Sequence, residues 1–509
     1  AAAEFFGAII EARQSHIPLL VLTADRPHEV RYSGANQTID QVKLYGDQVL
    51  WSFDAAIPQA NAPALALRAH KTLAARAYGI ADGVVKGPVH LNFPFRQPLE
   101  PTAPPLPSIT PLAQPAVQMA RGTIAPTAHQ IDELAAIIAQ YARGLIVCGP
   151  GCPGGDFPQQ VAKLALTTGY PLVADPLSGV RFGAPVASGL VLGGYEAYLQ
   201  GGKAAWEPPE LVIRFGAVPT AKWLNSYLTS SAPPHFIHIR DNGVWADDSH
   251  LVNHFLQADA ALVCAALVAQ VAPRTLSSWA TQIQTTEATC QQVTRTYCQA
   301  NFFDGAIVAA VVEALPPGAR LLIGNSLPVR HLDQFGTPTT RPITVFGNRG
   351  ASGIDGVTST ALGVAAASDA PLVLITGDIA FYHDMNGLLA IRQQALRNVT
   401  IVLLNNNGGG IFRRLPVAKF EPDFTPLFLT PHDLDFTHAA QLYGLRYVCT
   451  QDRATFTTTF QQSVNDHTPT VIEVQTDGVQ DLHHQQTIST LAQAAIQATN
   501  PVITKKEQL

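Results

Sequence analysis

The feature that most constrains this chain is a series of short apolar runs alternating with helical patterns. The runs are "GLIVCG", "YPLVAD", "LVIRFG", "HFIHI", "ARLLIG", "PITVFG", "APLVLITGD", "NVTIVLLNN" and "TPTVIEV". Runs of this length separated by helices are what parallel strands with helical crossovers require, so the reading is α/β with doubly wound parallel sheets. A chain of 509 residues supports several buried cores, and its length suggests three domains. Residues 99–115, "LEPTAPPLPSITPLAQP", hold six prolines in seventeen positions. They continue neither strand nor helix, and 99–118 reads as an extended interdomain linker. A second boundary falls near Pro273, ahead of a polar helical stretch leading to Phe302. The expected domains are therefore 1–98, 119–273 and 274–509.

The chain opens with "AAAEFFGAIIEARQSHIPLLVLTADRP", a helical pattern that enters a strand from Pro18 to Thr23. An α/β domain normally begins with a strand, so the expectation is that the first domain lacks its beginning. Lys and Arg number 32 against 38 Asp and Glu, a net charge of −6 with no long basic run. That balance argues against nucleic acid or an anionic membrane as partner and in favour of small molecules. The six cysteines are scattered without a CxxC pair, which indicates neither a zinc site nor a disulfide framework and fits a cytoplasmic location. No apolar run is long enough to span a membrane, and no leader pattern opens the chain.

Chemistry concentrates in residues 377–412, "GDIAFYHDMNGLLAIRQQALRNVTIVLLNNNGGGIF". One strand ends at Asp378, a helical pattern follows, and the next strand ends at Asn405 and Asn406. In a right-handed βαβ unit both strand ends emerge at the carboxyl edge, so Asp378 and Asn406 converge. A carboxylate and an amide oxygen are hard donors suited to Mg²⁺, which completes its shell with water and phosphate oxygens. Gly408, Gly409 and Gly410 are expected to bring backbone dipoles close to an anion. The chemical reading is a metal-bridged pyrophosphate.

This GD, spacer and late NN resemble the diphosphate-binding signature of thiamine-diphosphate enzymes. "FYHDMNGLL" with "NNNGGGIF" is similar, more closely, to the MenD synthase family of menaquinone biosynthesis. "TADRP", "GANQTIDQ", "IGNSLPVR" and "NRGASGIDG" look like further segments of that family and extend the resemblance over most of the chain. It implies a pyrimidine-binding first domain, a Rossmann-like central domain and a C-terminal diphosphate-binding domain. Thiamine diphosphate would be the cofactor, with Mg²⁺, or Mn²⁺, held by Asp378, Asn406 and the Gly408 carbonyl. Gly377, Gly408, Gly409, Gly410 and Ile411 would also contact the cofactor. Asn407 stands where many relatives have Asp.

The resemblance further implies that Ile354 bends the cofactor and that Ile411, Phe412 and Leu415 wall the reacting carbon, while Gln37 approaches cofactor and intermediate. Arg330 and Arg349 would recognise substrate carboxylates, whose planar geometry suits a guanidinium fork, with Asn325 and Ser326 adding hydrogen bonds. Lys222 would approach the acceptor, although Trp223 occupies a position where some relatives carry Arg. The implied reaction is decarboxylation of 2-oxoglutarate and 1,4-addition of the succinyl carbanion equivalent to isochorismate. It gives 2-succinyl-5-enolpyruvyl-6-hydroxy-3-cyclohexene-1-carboxylate and CO₂. A homodimer or homotetramer with its active site at the subunit interface follows from the same resemblance.

The family's cofactor-activating glutamate lies upstream of the opening helix, and neither Glu4 nor Glu11 matches it. The 509-residue chain is accordingly expected to be nearly inactive, since such acid-base help contributes about 10²- to 10⁴-fold. Another thiamine-diphosphate 2-oxoacid lyase, or a noncatalytic truncated cofactor-binding protein, are the alternatives. Gly149, Gly151 and Gly154 also fit GxGxxG, with Asp175 ending the next strand. Pro150 and Pro153 remove amide donors from that loop, so it reads as structural. His483 and His484 read as surface residues, and His383 with Asp384 as first-turn groups.

Overall fold

The computed structural model describes residues 2–99 and 117–499, so the expected linker lies almost wholly outside the described residues. All three sheets are parallel. The first contains β1 (Leu19–Asp25), β2 (Trp51–Asp54) and β3 (Pro88–Pro94) in the order β1-β3-β2. The second contains β4 (Gly144–Cys148), β5 (Leu172–Ala174), β6 (Val191–Leu192), β7 (Leu211–Phe215), β8 (His235–Ile239) and β9 (His254–Leu256). Its order is β6-β5-β4-β7-β8-β9. The third contains β10 (Arg320–Ile323), β11 (Thr344–Phe346), β12 (Leu372–Gly377), β13 (Val399–Asn405), β14 (Arg446–Thr450) and β15 (Thr470–Gln475), ordered β11-β10-β12-β13-β15-β14.

The chain packs as two compact units, residues 1–123 with 348–353, and residues 124–347 with 354–509. The second and third sheets thus share one unit, and the loop 348–353 clusters away from the sheet that precedes it in sequence. In the first unit β3 is central and buried. His90 and Asn92 are tolerated there because Thr23 Oγ1 lies 2.7 Å from His90 Nε2 and donates to Asn92 Oδ1 at 2.8 Å. Glu11 organises the 348–353 loop: its carboxylate accepts the amides of Gly350 at 2.7 Å and Ala351 at 2.8 Å.

In the second unit, strict alternation sends neighbouring residues of β12 and β13 to opposite faces. Val373, Ile375, Val402 and Leu404 enter one core, whereas Leu372, Leu374, Ile401 and Leu403 enter another. Burial on both faces is why these strands read as unbroken apolar runs and why their polar residues come only at the ends. A buried Arg181 joins the region after β5 to the helix Leu327–Phe335. Its Nη1 donates to Asp333 Oδ1 at 3.0 Å, and Tyr195 donates to the same oxygen at 2.7 Å. The helical pattern expected after Asp378 is interrupted. A helix Asp378–Asp384 gives way to a 3₁₀ turn, Met385–Leu388, before a short helix Leu389–Gln393. Asp384 is held there by the amide and hydroxyl of Ser359.

Candidate active site

Residues Gly377 and Leu404 are register partners on β12 and β13, so Asp378 and Asn406 leave the same edge together. Asp378 is 2% exposed. Its Oδ1 accepts the Ile379 amide at 2.7 Å and its Oδ2 the Gly408 amide at 2.9 Å. Burial pushes this carboxyl above its ordinary range, and those two amides pull the other way. Asn406 Oδ1 is buried without a hydrogen-bond partner in the protein. A carboxylate, an unmet amide oxygen and the Gly408 carbonyl form a hard oxygen set, which fits Mg²⁺.

The glycine run meets a steric demand that the sequence did not announce. Its amides do not turn outward: Gly408 donates to Asp378, Gly409 to Leu429 O at 2.7 Å, and Gly410 to Gly408 O at 2.9 Å. What excludes side chains is the segment Thr425–Leu429 passing behind. A Cβ on Gly408 would lie 2.0 Å from Leu429 O, and one on Gly409 2.4 Å from Phe428 O. Gly408 also has φ +134°, which side-chain-bearing residues rarely adopt.

His432, which no spacing rule reveals, completes this edge. His432 Nε2 lies 3.3 Å from Asp378 Oδ2, close but poorly aligned as a hydrogen bond. Leu434 donates its amide to His432 Nδ1 at 3.0 Å, which leaves the proton of a neutral imidazole on the nitrogen facing Asp378. Asn407 sets this up. Its Oδ1 accepts the amides of His432 and Asp433 at 3.0 Å each, and its Nδ2 donates to Asp433 Oδ1 at 2.7 Å. An aspartate at 407 would instead face Asp433 with like charge.

A cavity of about 170 Å³ opens over this edge. Gly377, Asp378, Asn406, Gly408, Gly409, Gly410, Ile354, Ile411, Phe412, Asn325 and Ser326 all line it, and so do Asp304, Phe428 and Thr430, which sequence reading missed. Arg330 lies one helical turn beyond Ser326 and donates to its carbonyl at 2.7 Å. Leu415 is 46% exposed and is not among the lining residues, so the expected apolar wall reduces to Ile411 and Phe412 here, with Ile354 lining the same cavity. Lys222 lies over the Trp223 ring at 4.7 Å and lines a separate cavity with Arg214, Asn225 and Asp248. Gln37, exposed with φ 56°, and Arg349 belong to the first compact unit.

The competing glycine loop is tied internally. Gly149 donates to Phe215 O at 2.9 Å, and the Asp175 carboxylate accepts the amides of Leu177 and Thr220, each at 2.8 Å. His483 is exposed as expected, whereas His484 is half-buried: it stacks on Phe303, and its Nδ1 lies 2.9 Å from the Tyr297 hydroxyl. All six cysteines are free thiols.

Two family models match, described as the middle domain of thiamine pyrophosphate enzymes over residues 114–323 and the C-terminal thiamine-pyrophosphate-binding domain over 330–474. A 2-succinyl-5-enolpyruvyl-6-hydroxy-3-cyclohexene-1-carboxylate synthase from Roseiflexus castenholzii is 53% identical over 505 residues, covering 97% of this chain and 86% of the relative. The chain belongs to this synthase family. A synthase of the same name from Haloarcula marismortui is 41% identical, with 97% and 86% covered. Among solved structures, benzoylformate decarboxylase from Polynucleobacter necessarius superposes with a TM-score of 0.64 at 17% identity, over 93% of this chain and 84% of that one, a likeness of fold. The synthase family works with thiamine diphosphate, and the edge formed by Asp378, Asn406 and Gly408 lies within the matched cofactor-binding domain.

Proposed function

We propose that this chain decarboxylates 2-oxoglutarate and joins the remaining four-carbon unit to isochorismate, releasing CO₂ and the product for which the family is named. The observation that carries the reading is the pairing of Asp378 with an unmet Asn406 oxygen at the mouth of an apolar cavity in a 53%-identical family member. Thiamine diphosphate, when bound, supplies the electron sink for decarboxylation and the carbanion equivalent for addition.

The chain's residues do the rest. Asp378, Asn406 and the Gly408 carbonyl would hold Mg²⁺, or Mn²⁺, which would neutralise the cofactor's phosphate charge. Ile411 and Phe412 would keep water from the reacting carbon, which strengthens every electrostatic contact inside, and Ile354 would be the apolar wedge against the cofactor. Asn325, Ser326 and Arg330 take a substrate carboxylate, with Arg330 oriented through the Ser326 carbonyl. Gln37, Arg349, Lys222 and Leu415 are assigned on the resemblance, as are a homodimer or homotetramer with an interfacial active site and a cytoplasmic location. No helix of the described residues is long and apolar enough to cross a membrane.

The test is product mass from the complete gene product mixed with thiamine diphosphate, Mg²⁺ and 2-oxoglutarate, with and without isochorismate. The synthase reading expects the coupled product only when isochorismate is present. CO₂ release that ignores isochorismate would instead identify a plain 2-oxoacid lyase.

A further inference from the structure

At the wall of the cavity formed by Asp304, three side chains converge, each with one polar atom that finds no partner. Asp304 Oδ2, His331 Nε2 and Asp481 Oδ1 are buried without a hydrogen bond, and the three residues are each no more than 2% exposed. His331 Nε2 lies 3.8 Å from Asp304 Oδ2 and 3.6 Å from Asp481 Oδ2. One ligand atom from each residue can be chosen so that all lie within 4.8 Å of one another. They come from three elements: Asp304 begins the helix Asp304–Ala314, His331 lies on Leu327–Phe335 and Asp481 on Gly478–Thr499.

These separations are too long for direct hydrogen bonds. They are near what a cation imposes on adjacent ligands at about 2.0–2.2 Å from each. Orphaned buried polar atoms are rare and call for an unseen water or ion. Charge decides between the two. Arg414 is the cation nearest the cluster, 3.8 Å from Asp481 Oδ2, and its Nη2 is bonded to Gln485 Oε1. Two buried carboxylates therefore face one another with partial compensation, and a neutral water does not supply the missing charge. Burial pushes both carboxyls up, Asp304 to about 6.

We propose that Asp304, His331 and Asp481 form a second divalent-cation site, distinct in donor set from the Asp378–Asn406–Gly408 edge. One imidazole and two carboxylates favour a first-row transition dication over Mg²⁺, whose preferred donors are all oxygen. Occupancy puts the His331 proton on Nδ1, 3.3 Å from Gln485 Nε2, which also donates to Asp481 Oδ2 at 2.7 Å. Binding is thus coupled to a turn of the Gln485 amide that presents its oxygen to the ring and releases Arg414.

The experiment uses the full chain with thiamine diphosphate and saturating Mg²⁺, to which Mn²⁺ is added and read by electron spin-echo spectroscopy. The expected result is one further Mn²⁺ per chain whose nitrogen hyperfine coupling persists in a His432→Gln chain, so that it arises from this cluster and not from the imidazole facing Asp378. His331→Asn should abolish the nitrogen signal while thiamine diphosphate binding persists. Asp481→Asn, a second variant should the first not fold, should weaken Mn²⁺ binding by about tenfold or more. Mn²⁺ without nitrogen coupling in the wild-type chain overturns the proposal and leaves a water and a shared proton in the cluster. Coupling that survives in a folded His331→Asn chain overturns it equally.

Discussion

Individual residues carry the chemistry through contacts that the sequence reveals unevenly. Asp378 and Asn406 were legible because a βαβ unit has only one way to bring two strand ends to the same edge. His432 was not, because it reaches Asp378 from 54 positions downstream through a loop held by Asn407. His432→Gln keeps the fold and removes the imidazole facing Asp378, so metal-dependent cofactor affinity is expected to fall about 10- to 100-fold. Titration calorimetry with thiamine diphosphate and Mg²⁺ checks this, and an unchanged affinity would assign His432 to packing alone. Asn407→Asp should produce a similar but smaller loss, since it places a carboxylate against Asp433 and loosens the same loop.

Secondary elements show where pattern reading succeeds and where it stops. The nine apolar runs all contain strands, and most of them are buried on both faces, which is what keeps such runs largely apolar. β3 was not identified: His90 and Asn92 interrupt its apolar pattern, and only the tertiary contact with Thr23 makes them affordable. β14 was missed because its outward residues remain partly exposed at a sheet edge. The glycine run was found, but its packing demand was not, since the segment Thr425–Leu429 that imposes it is distant in sequence. Thermal melts of three alanine variants separate the explanations. Gly408→Ala should destabilise most, by about 1–3 kcal/mol, Gly409→Ala somewhat less, and Gly410→Ala least, because its Cβ would meet the Asn406 side chain at 3.0 Å rather than backbone. An anion cradle would instead predict equal stability and a loss of cofactor binding in all three.

The short helix Tyr195–Tyr198 supplies a pH-dependent element. Glu196 accepts the Trp223 amide at 2.9 Å, and burial, reinforced by Asp333, pushes its carboxyl from 4.5 up to about 8. A folded value above the unfolded one means the associated stability is intact below about 4.5 and is lost as pH rises toward about 8. Glu196→Gln should therefore flatten the decline of Tm across that window, an effect absent if the carboxylate is solvated and ordinary.

At the scale of the whole molecule, α/β class, parallel sheets and family were all legible, whereas the division into compact units was not. Composition marks chain boundaries only where a linker is rich in proline, and nothing in the sequence signals that residues 124–347 and 354–509 pack as one body. The buried Arg181–Asp333 pair lies within that body, and removing one partner strands the other charge. Arg181→Ala is expected to destabilise the chain by about 3–5 kcal/mol in denaturant unfolding.

The most direct test of the central claim is product mass from the complete gene product and its Asp378→Asn variant, assayed side by side with 2-oxoglutarate, isochorismate, thiamine diphosphate and Mg²⁺. The account predicts coupled product from the wild type and about 10²-fold less or none from the variant, with saturation restored in part by excess metal. Equal product from both, or none from the wild type while cofactor binds, would contradict it.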